Sequence, residues 1–336
     1  MSRGFVKPVD TISIIQDIIN KNDIITFESG IYKITKTISI PSNKTILLNG
    51  ATLRRYCSSP VIMTECNEKT KEYKGAQNIK IVGGTIEGMN SQGYGSTNMV
   101  LLFHSNNVSI ISTTFLDVTG SHAIDIGGCK NTNIVGCKFM GYKSYGRDFR
   151  EAIQIDYAYR GGIPYFKEGS SCFDDTHCDG VHIIGCEFGE STRKAQYVAI
   201  GTHAQTSTNN YHKNINIKYN IAKGNGCSNY MGFFARIVNM RGVNIVGNTV
   251  SNYGRFVLVD TTPSCTAKNK GSQDILISDN VILDSIDTFA ASSIFINAST
   301  THKVSDVTIC NNIFDKPKST SYKSTVNLVE KNNIVK

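Results

Sequence analysis

Residues 242–252 read GVNIVGNTVSN, and their spacing decides the architecture. Val243 and Ile245 flank a polar Asn244, a Val-Gly-Asn corner follows, and Val250 stands between Thr249 and Ser251. Alternation of period two means short strands with one apolar face, joined by a tight bend. The stretches on either side repeat the design: NINIKYNIAKG at 214–224, QDILISDNVILD at 273–284 and SDVTICNNIFDK at 305–316. Further upstream come NKTILLNGATL (43–53), QNIKIVGGTIEG (77–88), NNVSIISTTFLD (106–117), NTNIVGCKFMG (131–141) and DGVHIIGCEFGE (179–190). One unit alone cannot bury its apolar side. Stacked units close a continuous core.

Aligning the shared isoleucine gives Ile46, Ile81, Ile110, Ile134, Ile183, Ile217, Ile245, Ile277 and Ile309, at intervals of 35, 29, 24, 49, 34, 28, 32 and 32 residues. Three positions later stand Asn49, Gly84, Thr113, Cys137, Cys186, Asn220, Asn248, Asn280 and Asn312. Asn at one turn of successive coils predicts an inward amide ladder. Cys137 and Cys186 then serve as compact substitutes within it rather than as redox or metal groups. Leucine-rich repeats lack this consensus, and propeller blades need antiparallel units. The expectation is an all-β chain, a right-handed parallel β-helix (a single-stranded solenoid) of about nine to ten coils.

Composition agrees. The chain of 336 residues is 40% hydrophobic and 18% charged, with 29 Gly, 6 Pro and no Trp, a mixture that favours strands and turns. Its formal charge of +8 comes from scattered Lys and Arg, so it reads as a solvated basic surface and not as a nucleic-acid face. The segment VDTISIIQDIINKND has Ile14, Ile15, Ile18 and Ile19 at helical spacing after Asp10 or Thr11, which predicts a short helix capping the solenoid. We expect a single domain over 1–336, with a cap at 1–30 and a long inserted loop at 157–178 over a groove. The polar tail after Ile313 is expected to cover the other end. MSRGFVKPVD lacks a secretory apolar core, and no stretch approaches a membrane span. The ten Cys include no CxxC pair, and CFDDTHC (172–178) is a weak ligand pattern, so no metal and no cofactor is expected.

The upstream strand of each coil reads HAIDIGG, EAIQIDYA, YVAIGTHA, FFARIVN, FVLVDTT or SIFINAS. With Ile126, Ile155, Ile200, Ile237, Val259 and Ile296 inward, Asp125, Gln154 and Arg236 share an outward column, with Ala199 between them. Asp156 and Asp260 occupy the next column with Gly127 and Gly201, and His203 lies two residues beyond Gly201. Small residues beside carboxylate, amide, imidazole and guanidinium groups describe a polar groove. Glycoside hydrolysis needs one protonated and one ionised carboxyl, which Glu151 with Asp125 or Asp156 supplies. A lyase needs a base and a cation, for which His122 or His203 with Arg236 stand ready. The insertion adds Tyr157, Tyr159, Arg160, Asp175 and His177 as substrate-binding candidates. Each also has a plain structural reading: Glu151 as an ion-pair partner of Arg150 or Lys143, Arg236 as a surface ion pair, His122 as a hydrogen-bonded turn residue.

Repeats, ladder and cap together resemble the pectate-lyase-like right-handed parallel β-helix superfamily, which includes polygalacturonase-type glycosidases, polysaccharide lyases and phage tail-spike depolymerases. SHAIDIGG, REAIQIDYA, FDDTHCDG and AIGTHAQ also look like a pattern in Gram-positive bacterial and phage β-helix proteins that act on surface glycans. Against the polygalacturonase motifs, His122 falls on the first acidic position, Glu151 on the next, Gln196 on the catalytic-loop His, and Arg236-Ile237-Val238 on RIK. Only Glu151 and Arg236 keep the chemistry, so that mechanism does not transfer. The resemblance implies a polysaccharide partner and an extracellular, cell-surface or virion-associated setting. Three functions stay open: a glycan-cleaving glycosidase (a lyase second), a non-catalytic glycan-binding adhesin or phage-tail protein, and a structural assembly protein. A homo-oligomer, such as the trimer of tail spikes, has no heptad here to support it.

Overall fold

The computed structural model describes residues 1–88, 93–144, 150–161, 165–202, 210–226, 232–260, 271–283, 293–300, 302–315 and 320–336. Among these, every sheet pairing is parallel, and the strands form three sheets of twelve, eleven and ten members. Successive coils contribute one strand to each sheet in strict chain order. This is the right-handed parallel β-helix.

The nine isoleucines form one column. Ile46 pairs with Ile81, Ile81 with Ile110, Ile110 with Ile134, and so on through Ile277 with Ile309. The column extends one coil at each end, to Ile25 and to Glu330. Each anchor is almost fully buried, and stacking sets each against the Ile of at least one neighbouring coil, about 1.5–3 kcal/mol of burial per side chain. Phe115, Phe139 and Phe188 stack in the same way, with centroids 5.0 and 4.8 Å apart.

The inward ladder runs from Cys186 to Asn333. The amide N–H groups of Cys186, Asn220, Asn248, Asn280 and Asn312 each donate to the side-chain oxygen of the next coil's Asn at 2.8–3.0 Å. The Asn Nδ2 groups in turn donate to anchor carbonyls, Asn248 to Ile217 and Asn280 to Ile245. Asn333 is a rung the repeat alignment did not reach. Asn49 is not a rung: it is exposed, and Leu48 fills that corner. At the next coil Gly84 is required, because a Cβ there would lie 2.4 Å from Leu48 Cβ with φ at +65°.

A helix spans Ile12–Lys21, and Ile15 and Ile19 join the main core. Ile14 stays exposed, and Thr11 occupies the N-cap position without a side-chain cap, its hydroxyl meeting Ser13 instead. The C-terminal tail differs from expectation. Thr320–Lys323, Thr325–Lys331 and Ile334–Val335 add a strand to all three sheets. Leu328 packs on the core and Asn333 continues the ladder, so the tail is a further coil and not a cover.

Candidate functional site

The ten-stranded sheet carries the site, and a break in its alternation explains how. In successive strands two consecutive residues face the core: Met99 with Val100, Ala123 with Ile124, Ala152 with Ile153, Ala199 with Ile200, Phe234 with Ala235, and Phe256 with Val257. Val198, Phe233 and Leu258 instead form a separate cluster on the outer face. Strict alternation from Ile153 would turn Glu151 inward. The doubled inward pair returns that position to the outside, where Glu151 pairs with Val198 and Val198 with Phe233.

The next outward column is Leu101, Asp125, Gln154, Gly201, Arg236 and Leu258. Gly201, not Ala199, therefore separates Gln154 from Arg236, since Ile200 pairs with Ile153 instead of Ile155. A slip of two residues preserves the in–out pattern, so alternation alone cannot detect it. Gly127 pairs with Asp156, and Asp260 with Asn297, in the column beyond. His203 lies outside the described residues.

A polar cavity of about 180 Å³ opens on this face, lined by His122, Asp125, Arg150, Gln154, Tyr159 and Tyr165, with Asn98 and Thr97 at its upper edge. Asp125 is 2% exposed. Asn98 Nδ2 donates to its Oδ2 at 2.8 Å, while its buried Oδ1 has no hydrogen-bond partner among the described residues. Burial, reinforced by the charge of Glu151, pushes its pKa up to about 8 against the pull of Asn98 and Arg150. Asp156 is fully buried and held well above the usual carboxylate range by burial, then by Asp125 and Glu151. Gln154 Nε2 donates to Asp156. Burial beside these carboxylates also raises the Tyr159 phenol.

His122 is 3% exposed, and its Nδ1 lies 2.7 Å from the Glu151 carbonyl oxygen and 3.7 Å from Glu151 Oε2. A carbonyl only accepts, so Nδ1 carries the proton and the neutral ring keeps its lone pair on Nε2. Glu151 lies behind the cavity wall and acts on it through His122 and through its charge on Asp125.

The other candidates are placed elsewhere. Tyr157 is fully buried, its ring 4.1 Å from that of His212 and its hydroxyl on the Asn210 carbonyl. Arg160 pairs with Glu168 at the surface, and His177 meets the Tyr73 hydroxyl. The Asp175 amide donates to Ala158, and Asp174 caps Thr176 while accepting the Glu72 amide. Arg236 pairs with Asp260 at 3.0 Å, away from the cavity. Asn98 and Arg150 were missed as site residues. NMVLLF (98–103) has the same apolar run as HAIDIG, so aligning it would have put Asn98 above His122. Among the described residues, no helix is long and apolar enough to cross a membrane.

No family model matches this chain. Over 222 residues it is 30% identical to plasmin and fibronectin-binding protein A of Streptococcus pneumoniae (strain ATCC BAA-255 / R6), which covers 58% of this chain. The chain spans only 30% of that relative's length. Among solved structures, the Streptococcus pneumoniae surface protein and adhesin PfbA superposes with a TM-score of 0.74 at 21% identity, covering 96% of this chain and 93% of that one. An alginate lyase from Paenibacillus sp. str. FPU-7 follows at 0.67 and 14%, covering 96% and 99%. A tailspike protein of E. coli bacteriophage HK620, in complex with a hexasaccharide, matches at 0.61 and 17%, covering 92% and 54%. The chain has the fold of these β-helix proteins. One β-helix scaffold thus carries an adhesin, a lyase and a tailspike, so the fold alone does not fix the chemistry.

Proposed function

We propose that this β-helix cleaves a bacterial surface or extracellular polysaccharide at the Asp125 cavity, by acid–base hydrolysis. The observation that carries the reading is Asp125 itself, a buried carboxyl with one oxygen held by Asn98 and the other unpartnered among the described residues. Such a group stays protonated near neutral pH and delivers its proton to a glycosidic oxygen. His122 is the partner base, taking a proton from water at Nε2 while the Glu151 carboxylate steadies the imidazolium that forms. Gln154, Tyr159, Tyr165 and Arg150 hold the sugar. The 157–178 insertion is the groove wall, since it supplies Tyr159 and Tyr165. The chain works at a cell surface or on a virion, a setting supported by the names of its relatives. His122 with Arg150 also equips the cavity for β-elimination, which leaves an unsaturated, ultraviolet-absorbing sugar end where hydrolysis leaves only reducing ends.

The second reading is an adhesin that binds without turnover, favoured by the 30% identical relative named for plasmin and fibronectin binding. A depolymerisation screen against Gram-positive capsule, teichoic acid and exopolysaccharide separates the two. Hydrolysis by wild type that is lost in Asp125→Asn with binding retained supports the first. Binding with no turnover of any glycan, by wild type or variant, supports the second.

A further inference from the structure

A second cleft lies on the corner where the eleven-stranded sheet turns into the ten-stranded one. It encloses about 430 Å³ and is lined by Tyr142, Lys143, Arg193, Lys194, Tyr197 and Asn225, among others. Among the described residues, no carboxylate lines it. None of its three cations has an ion-pair partner among the described residues, and Arg193 Nη1 is buried there with no hydrogen-bond partner. The fold builds the cleft across coils: the Tyr142 amide donates to the Lys194 carbonyl at 2.8 Å, tying the end of one strand to a turn of the next coil. The cleft and the Asp125 cavity are in line, because the cavity draws on the corners before Val100, Ile124 and Glu151, and the cleft on those leading to Glu151, Val198 and Phe233. Their centres are two coils apart, roughly 10 Å at about 4.8 Å per coil, or about two sugar units.

We propose that this cleft is a second ligand site, which takes an anionic substituent of a glycan, either a carboxylate or a phosphate ester. The Arg193 fork pairs with two anionic oxygens, Lys143 and Lys194 supply point charges, and the half-buried Tyr197 offers a ring to the sugar. This rests on the glycan reading above and names its class of substrate as acidic, with the charge about two units from the scissile bond.

The test is direct binding, which needs no turnover. Oligogalacturonate, a glycerol-phosphate oligomer and neutral dextran oligosaccharide are titrated calorimetrically into the full chain at two salt concentrations. At least one anionic oligomer should bind more tightly than dextran and weaken with salt, and the oligomer that does so identifies carboxylate or phosphate as the group. Arg193→Gln/Lys194→Gln should weaken that binding about ten- to a hundredfold, and Lys143→Gln, an exposed change, at least threefold. Lys80→Gln/Lys218→Gln, which removes two charges from the twelve-stranded sheet, should leave affinity within about twofold. Equal affinity for dextran overturns the inference, and so does equal loss in the two double variants or no loss in Lys143→Gln. Absence of turnover bears only on the hydrolysis reading.

Discussion

The imidazole of His122 hangs from the main-chain carbonyl of Glu151 at 2.7 Å, on the next coil, while the carboxylate of the same residue stands 3.7 Å away. One residue therefore sets both the tautomer and the electrostatic backing of its neighbour. ¹⁵N spectra should show Nδ1 protonated and Nε2 unprotonated in the neutral ring. His122→Gln keeps an amide to donate to that carbonyl but removes the base. Glycan binding should stay within about threefold, with turnover down by about 100- to 10,000-fold. Unchanged turnover would remove His122 from the mechanism.

Asp125 gives a pH dependence whose sign is fixed. Its folded pKa, about 8, lies above the ordinary 3.8, so between those values the native state holds a proton that the unfolded chain releases. Stability from this group is full below about 4 and is lost as pH rises towards 8. His212 works in the opposite sense: burial holds it near 3, so it destabilises the fold as pH falls below about 6.5. The difference between wild type and Asp125→Asn isolates the carboxyl. The variant should gain stability relative to wild type as pH increases from 4 to 8, read from urea midpoints at each pH. A constant difference across that range would mean that Asp125 is not held protonated.

How much of this was legible in the sequence depends on what each residue answers to. The isoleucine column was readable because a single slipped residue would turn a whole strand inside out. The strand Val198–Gly201 was misplaced by two residues for the complementary reason, since that slip leaves its pattern intact. Asp125 and Gln154 were found from the column they share and His122 from its place against the polygalacturonase motifs, and the cavity brings the three together. Tyr157 and His177 were chosen because their loop is long and aromatic, and composition does not say which way a loop side chain turns. Tyr157 turned inward because its hydroxyl could be satisfied there, by the Asn210 carbonyl and Asn239.

Gly201 is the small residue that lets two charged columns meet. A Cβ at that position would lie 3.1 Å from Glu151 Cγ and 3.1 Å from Arg236 Cβ. Gly201→Ala must displace one of them. The crowding costs about 1–3 kcal/mol, partly offset by about 0.4–1 kcal/mol from the stiffer unfolded chain. A net loss of about 1 kcal/mol in urea unfolding is expected, with turnover falling more than glycan affinity as Glu151 shifts behind His122. A variant as stable and as active as wild type would show that Glu151 does not depend on the gap.

Asn248 and Asn244 belong to one coil and test the ladder against its surroundings. Asn248 is fully buried: its Oδ1 accepts the Asn220 amide N–H and Nδ2, and its own Nδ2 donates to Ile217 and to Asn280. Asn244 stands on the outer face, with its Nδ2 on Asn216 at 3.2 Å and water within reach. Replacing Asn248 by Ala strands a buried amide and a buried carbonyl, each worth about 1–3 kcal/mol when no water can reach it. A loss of about 3 kcal/mol is expected for Asn248→Ala, against under about 1 kcal/mol for Asn244→Ala. Because each rung bonds to the next, the damage should spread along the stack: hydrogen exchange at the amides of Asn220 and Asn280 should quicken in Asn248→Ala and stay slow in Asn244→Ala. Equal losses in the two variants would mean that the inward amides fill space and do not bind the coils together.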